Sequence, residues 1–456
     1  MNNSVQNEKL SFKEKLGYFF TAMASDMSGQ FTSSFLLFFY TSVAGINIEL
    51  ASLVISLSVI WDAINDPIIA SWVDNHALKN GERLRPILLY STFPFVICFV
   101  LLFTVPNWSM AAKIAYCFGW YFIYMIPKTF YYLPVYTLRQ VATPDNDERL
   151  KLNSFISYGQ AFGSSIPTLL ILPIILAVGG GQTKATMTNP KLGFFVGALI
   201  IALVICFASV YNYCTTKERV KNENKKKISV FKAMKIVLKD RNFLCNLGLF
   251  FFYGLVVTLT TGYAMYYCTY VLDKASLATP VSAFFIIGTL LATPFVRKMY
   301  DTLGRTKTTV IGSIFLVIGG AVFLIFAESV IGACAFTFFI GVGTAITIIV
   351  IGMNRADVTD VIEIKSQQRM DGMVNNVSSL IQKIARSAVT ALIGVALGAA
   401  GFVESAASKA EQPLSAQHAI VNVMGFGVLI SAVLMIVFAL LINLDKEMKE
   451  LKVGQK

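Results

Sequence analysis

Twelve long apolar runs, each close to the 17 to 25 residues needed to cross a bilayer, leave this chain few folds to adopt. They fall near 17–43, 49–73, 86–105, 110–138, 152–178, 193–214, 243–271, 277–298, 307–326, 330–355, 372–400 and 418–443. Backbone inside hydrocarbon finds no water, so each run must satisfy its own N–H and C=O groups as a helix. The expected fold is an all-α membrane protein of twelve transmembrane helices. Composition agrees, with 55% of the 456 residues hydrophobic and only 14% charged, and a mean hydropathy of +0.65.

The net charge of +12 does not point to nucleic acid, because the basic residues gather in connections between the apolar runs. Loops 74–85, 139–151, 215–242, 297–307 and 365–369 are basic, whereas those near Glu49, Asn107, 179–190, Asp273, Glu328 and 404–417 are poor in Lys and Arg. That alternation predicts a multi-pass protein of the plasma membrane with both termini in the cytoplasm. Residues 1–15 lack the apolar core of a cleaved signal peptide. The seven cysteines are scattered without metal-ligand spacing, so no disulfide framework, zinc site or cofactor is expected.

The lysine-rich connection from Lys217 to Arg241 splits the chain in two. The expected organisation is an N-terminal bundle, 1–214, a cytoplasmic central loop, 215–242, a C-terminal bundle, 243–443, and a tail, 444–456. The loop reads as a solvated linker, with at most one surface helix against anionic membrane lipid.

Within the second run, Ile60-Trp61-Asp62-Ala63-Ile64-Asn65-Asp66-Pro67-Ile68 places two carboxylates four residues apart, on one helical face. An aspartate at mid-bilayer costs roughly 2.5–3.5 kcal/mol on insertion scales. A proton, a metal cation or a basic side chain must therefore sit between Asp62 and Asp66.

The halves also echo each other. Asp74-x6-Gly81-x-Arg83-x-Arg85-Pro86 follows the second run, and Arg297-Lys298-x2-Asp301-x2-Gly304-Arg305-x-Lys307 follows the eighth. Gly permits a tight turn there, and the Asp and Arg side chains can bridge helix ends as a gate, although ordinary positive-inside charge would look similar. Two such halves with a site between them are how secondary transporters are built.

These residues resemble the glycoside, pentoside and hexuronide cation symporter family of the major facilitator superfamily. The resemblance spans essentially the whole chain. It rests on Trp61 to Pro67, on Gly81-x3-Arg85-Pro86, and on Leu133-Pro134-x3-Leu138-x4-Thr143-Pro144-Asp145-x2-Glu148-Arg149. Ala356-Asp357-x2-Asp360-x2-Glu363, Arg369-x2-Gly372 and Lys383 extend it toward the end of the chain.

The resemblance implies two pseudo-symmetric six-helix halves and symport of a sugar with Na+ or H+ by alternating access. It assigns the coupling cation, possible Na+ included, to Asp62, Asp66, Asn65 and Thr129, whose oxygens suit a small hard ion. It assigns Asp26 to the sugar, since a carboxylate accepts from two neighbouring hydroxyls; capping or pairing with a basic residue is the plainer alternative. Lys383 is either a structural ion pair or a ligand contact, and Asn376 lies on the same polar helix.

Departures from the family bear on substrate. Tyr132 stands where melibiose-type members carry a second aspartate, Tyr136 and Ile348 replace tryptophans, and Ser157 replaces an arginine. Tyr132 and Tyr136 share a helical face and offer a stacking platform, or simply pack. Lys128 adjoins Thr129 and sits four residues before Tyr132. It either pairs with Asp62 or Asp66 and stands in for a metal cation, or it binds an anionic sugar such as a uronide.

A carrier of amphiphiles or lysolipids would need an apolar cleft where Asn375, Asn376, Ser378 and Ser379 stand, and a non-transporting sensor would be expected to carry a sizeable cytoplasmic domain. No enzyme is expected, for there is no His-Glu-x2-His helix and no Gly-x-Ser-x-Gly elbow, and His76 and His418 lie near span ends. A monomer with a small-molecule sugar and a coupling cation as its partners is expected.

Overall fold

The computed structural model describes residues 10–75, 82, 84–143, 145–181, 188–219, 230–366 and 371–448, and among them there are helices and turns but no strand. Helix α1 (Phe12–Phe38) runs on through a π-helical turn, Phe39–Val43, and is followed by α2 (Ile48–Asn75), α3 (Leu84–Leu101) and α4 (Met110–Val141). Next, α5 (Asn146–Ile166) passes through a second π turn, Pro167–Ile171, into α6 (Leu172–Gly179), and α7 (Pro190–Thr215) follows. A short α8 (Val230–Val237) precedes α9 (Arg241–Tyr270), α10 (Ala278–Ile325), α11 (Val330–Ser366), α12 (Asp371–Ala399) and α13 (Leu414–Leu441).

The helix starts follow from local sequence. Ser11 caps α1 by accepting from Glu14 N at 3.3 Å, while the Glu14 carboxylate accepts from Ser11 N at 3.0 Å, a reciprocal pair that satisfies two orphan donors. Asn189 Oδ1 accepts from Leu192 N and Asp240 Oδ1 from Phe243 N at the starts of α7 and α9. Pro167 has no N–H to return to the preceding turn, and the ladder widens there.

Nine helical stretches among the described residues are long and apolar enough to cross a membrane. One of them, Ala275–Ile325, holds two of the expected spans. The sequence predicts a loop over 297–307, yet α10 stays helical to both sides of Gly304, whose φ of 79° and ψ of 169° alone break it. That conformation is essentially restricted to glycine. Helices α1 and α4 are as long as the others but more polar, carrying Asp26 and Lys128, and are not among the nine. With the arms of α10 counted separately, the twelve expected rods are present. The tenth outruns its expected end at 355, continuing to Ser366.

Two compact units divide the chain, residues 1–224 with 403–408 and residues 225–402 with 409–456. In the first, α1 packs on α5 and α7, α2 on α4, and α3 on α4 and α7. Gly159 and Gly163 let α5 approach α1 closely, since a Cβ at either would lie 2.4 Å from Phe19 O or 2.2 Å from Met23 O. In the second unit α9 packs on α12 and α13, and α10 on α11 and α13. The pairing scheme of the first unit thus recurs in the second.

Candidate functional site

Pro127 and Pro134 interrupt the backbone ladder of α4 on either side of the segment that carries Lys128, Thr129 and Tyr132. Across from it, α2 presents Asp62 and Asn65, both buried, and the half-buried Asp66. Lys128 Nζ lies 3.1 Å from Asp62 Oδ2. Thr129 Oγ1 lies 2.8 Å from Asp66 Oδ1, 3.4 Å from Asp62 Oδ1 and 3.0 Å from Met125 O. One hydroxyl proton serves three acceptors, and the shortest contact is to Asp66. Asn65 Nδ2 donates toward Thr129 Oγ1 at 3.4 Å. Two carboxyl groups, one amine, one hydroxyl and one carboxamide thus meet between α2 and α4.

One turn further along α4 lies a second group. Tyr132 OH donates to Ser25 O at 2.6 Å and lies 3.0 Å from Ser28 Oγ. Tyr136 OH donates to Asp26 Oδ1 at 3.2 Å. The two tyrosine rings stand 6.0 Å apart at 55°. Lys128 Nζ also lies 5.8 Å from the Tyr132 ring centre, within cation–π range. A single side chain therefore touches both groups.

Of the other expected site residues, Asn376 is exposed on α12 and Lys383 half-buried two turns on. Of the polar residues Asn375, Asn376, Ser378 and Ser379, Ser378 is buried and donates to Val374 O at 2.7 Å. Gly81 and Arg369 lie outside the described residues; Asp74 is the last residue but one of α2, and Arg149 lies in the first turn of α5. Arg85 Cζ sits 4.9 Å from the Tyr213 ring centre, and the guanidinium bonds Glu82. Asp301 pairs with Arg297 at 2.9 Å along one exposed helical face, so it does not bridge helix ends, and Asp360 is exposed.

Buried Arg305 bonds Asp357 Oδ2 at 3.0 Å, Asn354 Oδ1 at 3.2 Å and Asp445 Oδ1 at 2.8 Å. Asn354 and Asp445 had no signal in the sequence beyond being polar beside apolar runs. In the first unit, Glu148 is gripped by Lys15 and Lys151, each at 2.9 Å. These ammonium hydrogen bonds, outside the spans, pull its carboxyl from 4.5 down to about 2.

Residues 17–446 match the MFS/sugar transport protein family. The chain belongs to this family. The chain is similar to an isoprimeverose transporter of Lactiplantibacillus pentosus, 24% identical over 93% of this chain and 88% of the relative. A putative glycoside/cation symporter of Escherichia coli K12 is 27% identical over 89% of this chain and 86% of its own. The D-xylose-proton symporter shares the fold, with a TM-score of 0.69, 13% identity and coverage of 93% of this chain and 97% of that one. The protein is accordingly a multi-pass membrane transporter for sugars within the major facilitator superfamily, and not an enzyme.

Proposed function

We propose that this sugar transporter couples a glycoside to a proton, with Asp62 and Asp66 as the coupling carboxylates and Lys128 in the place that a metal cation would take. The observation that carries this is the 3.1 Å contact between Lys128 Nζ and Asp62 Oδ2 inside the Asp62, Asn65, Asp66, Thr129 cluster. An ammonium already offsets one carboxylate, and one proton suffices for the other. Asn65 Nδ2 donates toward Thr129 Oγ1, so the amide offers a hydrogen and not an oxygen to that hydroxyl. The family relationship and the glycoside and isoprimeverose relatives support a sugar as cargo.

The sugar is held at Asp26, Tyr132 and Tyr136. Asp26 accepts from Tyr136 and offers its other lone pairs to sugar hydroxyls, while the tyrosines supply ring faces. Coupling runs through Lys128, which touches Asp62 at one side and Tyr132 at the other. Protonation of Asp66 removes the competing carboxylate, so that Lys128 settles on Asp62 and its contact with the Tyr132 face changes. By linkage, sugar strengthens proton binding by the same factor, typically 1–3 kcal/mol. Loaded, the carrier exchanges access between the two sides, with Arg85 and Arg305 holding helix ends in one state. It works as a monomer in the plasma membrane with both termini cytoplasmic.

Reconstituted protein tests this. Glycoside accumulation is expected to follow an inward proton gradient and to ignore sodium; a sodium requirement at fixed pH overturns the proton assignment, and no accumulation of any sugar overturns the cargo.

A further inference from the structure

Helix α8 belongs to the second unit and packs on α11 and α12. It is amphipathic. Met234 and Leu238 stand four residues apart on one face, and Lys235 and Lys239 on the neighbouring one. Leu238 and Lys239 fall in the turn that closes the helix, where Leu238 N still bonds Met234 O at 2.9 Å. Asp240 comes next and caps α9, so the chain passes from one helix to the other with no slack.

Behind α8 lies a groove of about 470 Å³, within the roughly 300–1,000 Å³ of pockets that hold small molecules. Met234 and Leu238 wall it from α8, Leu247 and Phe251 from α9, Leu380 from α12 and Phe438 from α13, and every side chain that lines it is apolar. Its floor is firm: a Cβ at Gly248 would lie 2.5 Å from the Phe438 ring, so that ring rests on the α9 backbone, and the Phe252 ring stands 5.8 Å from it. Leu238, Leu244 and Leu380 are exposed, so the groove opens outward through apolar walls.

Cations stand beside this groove without counter-charge. Lys365 holds Asp240, at 3.2 Å, and Glu447 as well. Lys235, Lys239 and Arg241 are exposed and make no ion pair among the described residues. Lys235 follows Met234 directly, and Lys239 follows Leu238, so each lysine adjoins a side chain of the groove wall. A neutral apolar ligand would leave the lysines unmatched, and a free anion would leave the groove empty. A phospholipid of negative charge satisfies both, its chain by apolar burial and its phosphate by attraction to the ammonium groups.

We infer that this groove is a binding site for an anionic phospholipid, with one acyl chain among Met234, Leu247, Leu380 and Phe438 and the headgroup phosphate at Lys235 and Lys239. In the orientation proposed above, α8 lies at the cytoplasmic leaflet, where anionic lipids give the surface its negative potential. The bound lipid ties α8 to α9 and α12. It concerns neither the sugar nor the proton, whose proposed residues belong to the first unit, and so it stands or falls separately from them.

The test is the thermal stability of the purified full-length protein in detergent as lipid is titrated in, since a ligand of the native state stabilises it by mass action. Three probes are compared: dioleoyl phosphatidylglycerol, dioleoyl phosphatidylcholine with the same chains, and glycerol phosphate with none. Wild type is expected to be stabilised saturably by phosphatidylglycerol, less by phosphatidylcholine and not by glycerol phosphate. The Lys235→Gln, Lys239→Gln double variant is expected to weaken phosphatidylglycerol by about fivefold for each lysine removed and to leave phosphatidylcholine unchanged. Leu380→Trp, which fills the groove from an exposed position, is expected to weaken both lipids. Equal stabilisation of wild type by the two lipids overturns the inference, and so does glycerol phosphate acting as well as the lipid. A double variant that keeps the wild-type preference, or a Leu380→Trp protein that binds phosphatidylglycerol as wild type does, also overturns it. A dimer in detergent that responds to neither lipid and is split by Leu380→Trp gives the groove to a second copy of the chain instead.

Discussion

Lys128 Nζ stands 3.1 Å from Asp62 Oδ2, and that ion pair joins α4 to α2 where the two helices face each other. Removing one partner of such a pair strands the other charge, which is the costly outcome. Lys128→Met leaves Asp62 and Asp66 without a positive partner from α4, four residues apart on one helix. The variant is expected to acquire sodium-stimulated sugar uptake that wild type lacks, read by titrating sodium at fixed pH. Uptake that stays both sodium-indifferent and undiminished would refute the surrogate role of Lys128.

Gly304 breaks α10 with φ 79° and ψ 169°, and a Cβ built there meets nothing within 4 Å. The obstacle to another residue is therefore backbone strain alone, of order 1–3 kcal/mol. Gly304→Ala is expected to lower thermal stability in detergent by that amount. A stability equal to wild type would show that the break relaxes without glycine.

Glu148 titrates at about 2 instead of 4.5 because Lys15 and Lys151 hold its charged form. A depressed carboxylate contributes stability that is fully present above 4.5 and is lost as pH falls toward about 2. Wild type is therefore expected to exceed Glu148→Gln in melting temperature near neutral pH, with the gap closing between pH 4.5 and about 2. A gap that stays constant across that window would show that the lysines hold Glu148 no more tightly in the folded state.

Much of this was legible in the chain. Apolar run length gave twelve rods, because hydrocarbon demands helix whatever the side chains. The Asp62 and Asp66 pair demanded a partner, and Lys128 was one candidate beside a proton and a metal cation, with an anionic sugar as its other possible role. What stayed hidden depended on distance along the chain or on local backbone geometry. Arg305 finds Asn354 and Asp445, 49 and 140 positions away. The stretch 297–307 looked like a loop because it is charged, yet charge is compatible with a helix that has only one glycine out of place. Ser378, read only as a polar residue, satisfies its own backbone inside the bundle.

Asp66 accepts from Thr129 at 2.8 Å, and the proposed coupling scheme gives it the transported proton. Asp66→Asn is expected to abolish accumulation against a gradient while sparing sugar exchange at equal concentrations, since the neutral amide mimics the protonated acid. Retained uphill transport would remove Asp66 from the coupling site.

The most direct measurement is the pH of a lightly buffered suspension of sealed proteoliposomes when a transported sugar is added outside. Sugar entry with a proton must make the medium more alkaline, in wild type and without sodium, and Asp66→Asn must abolish the signal. Sugar entry with no pH change, accompanied by sodium entry, would contradict proton coupling and return the cluster around Asp62 to a metal ion.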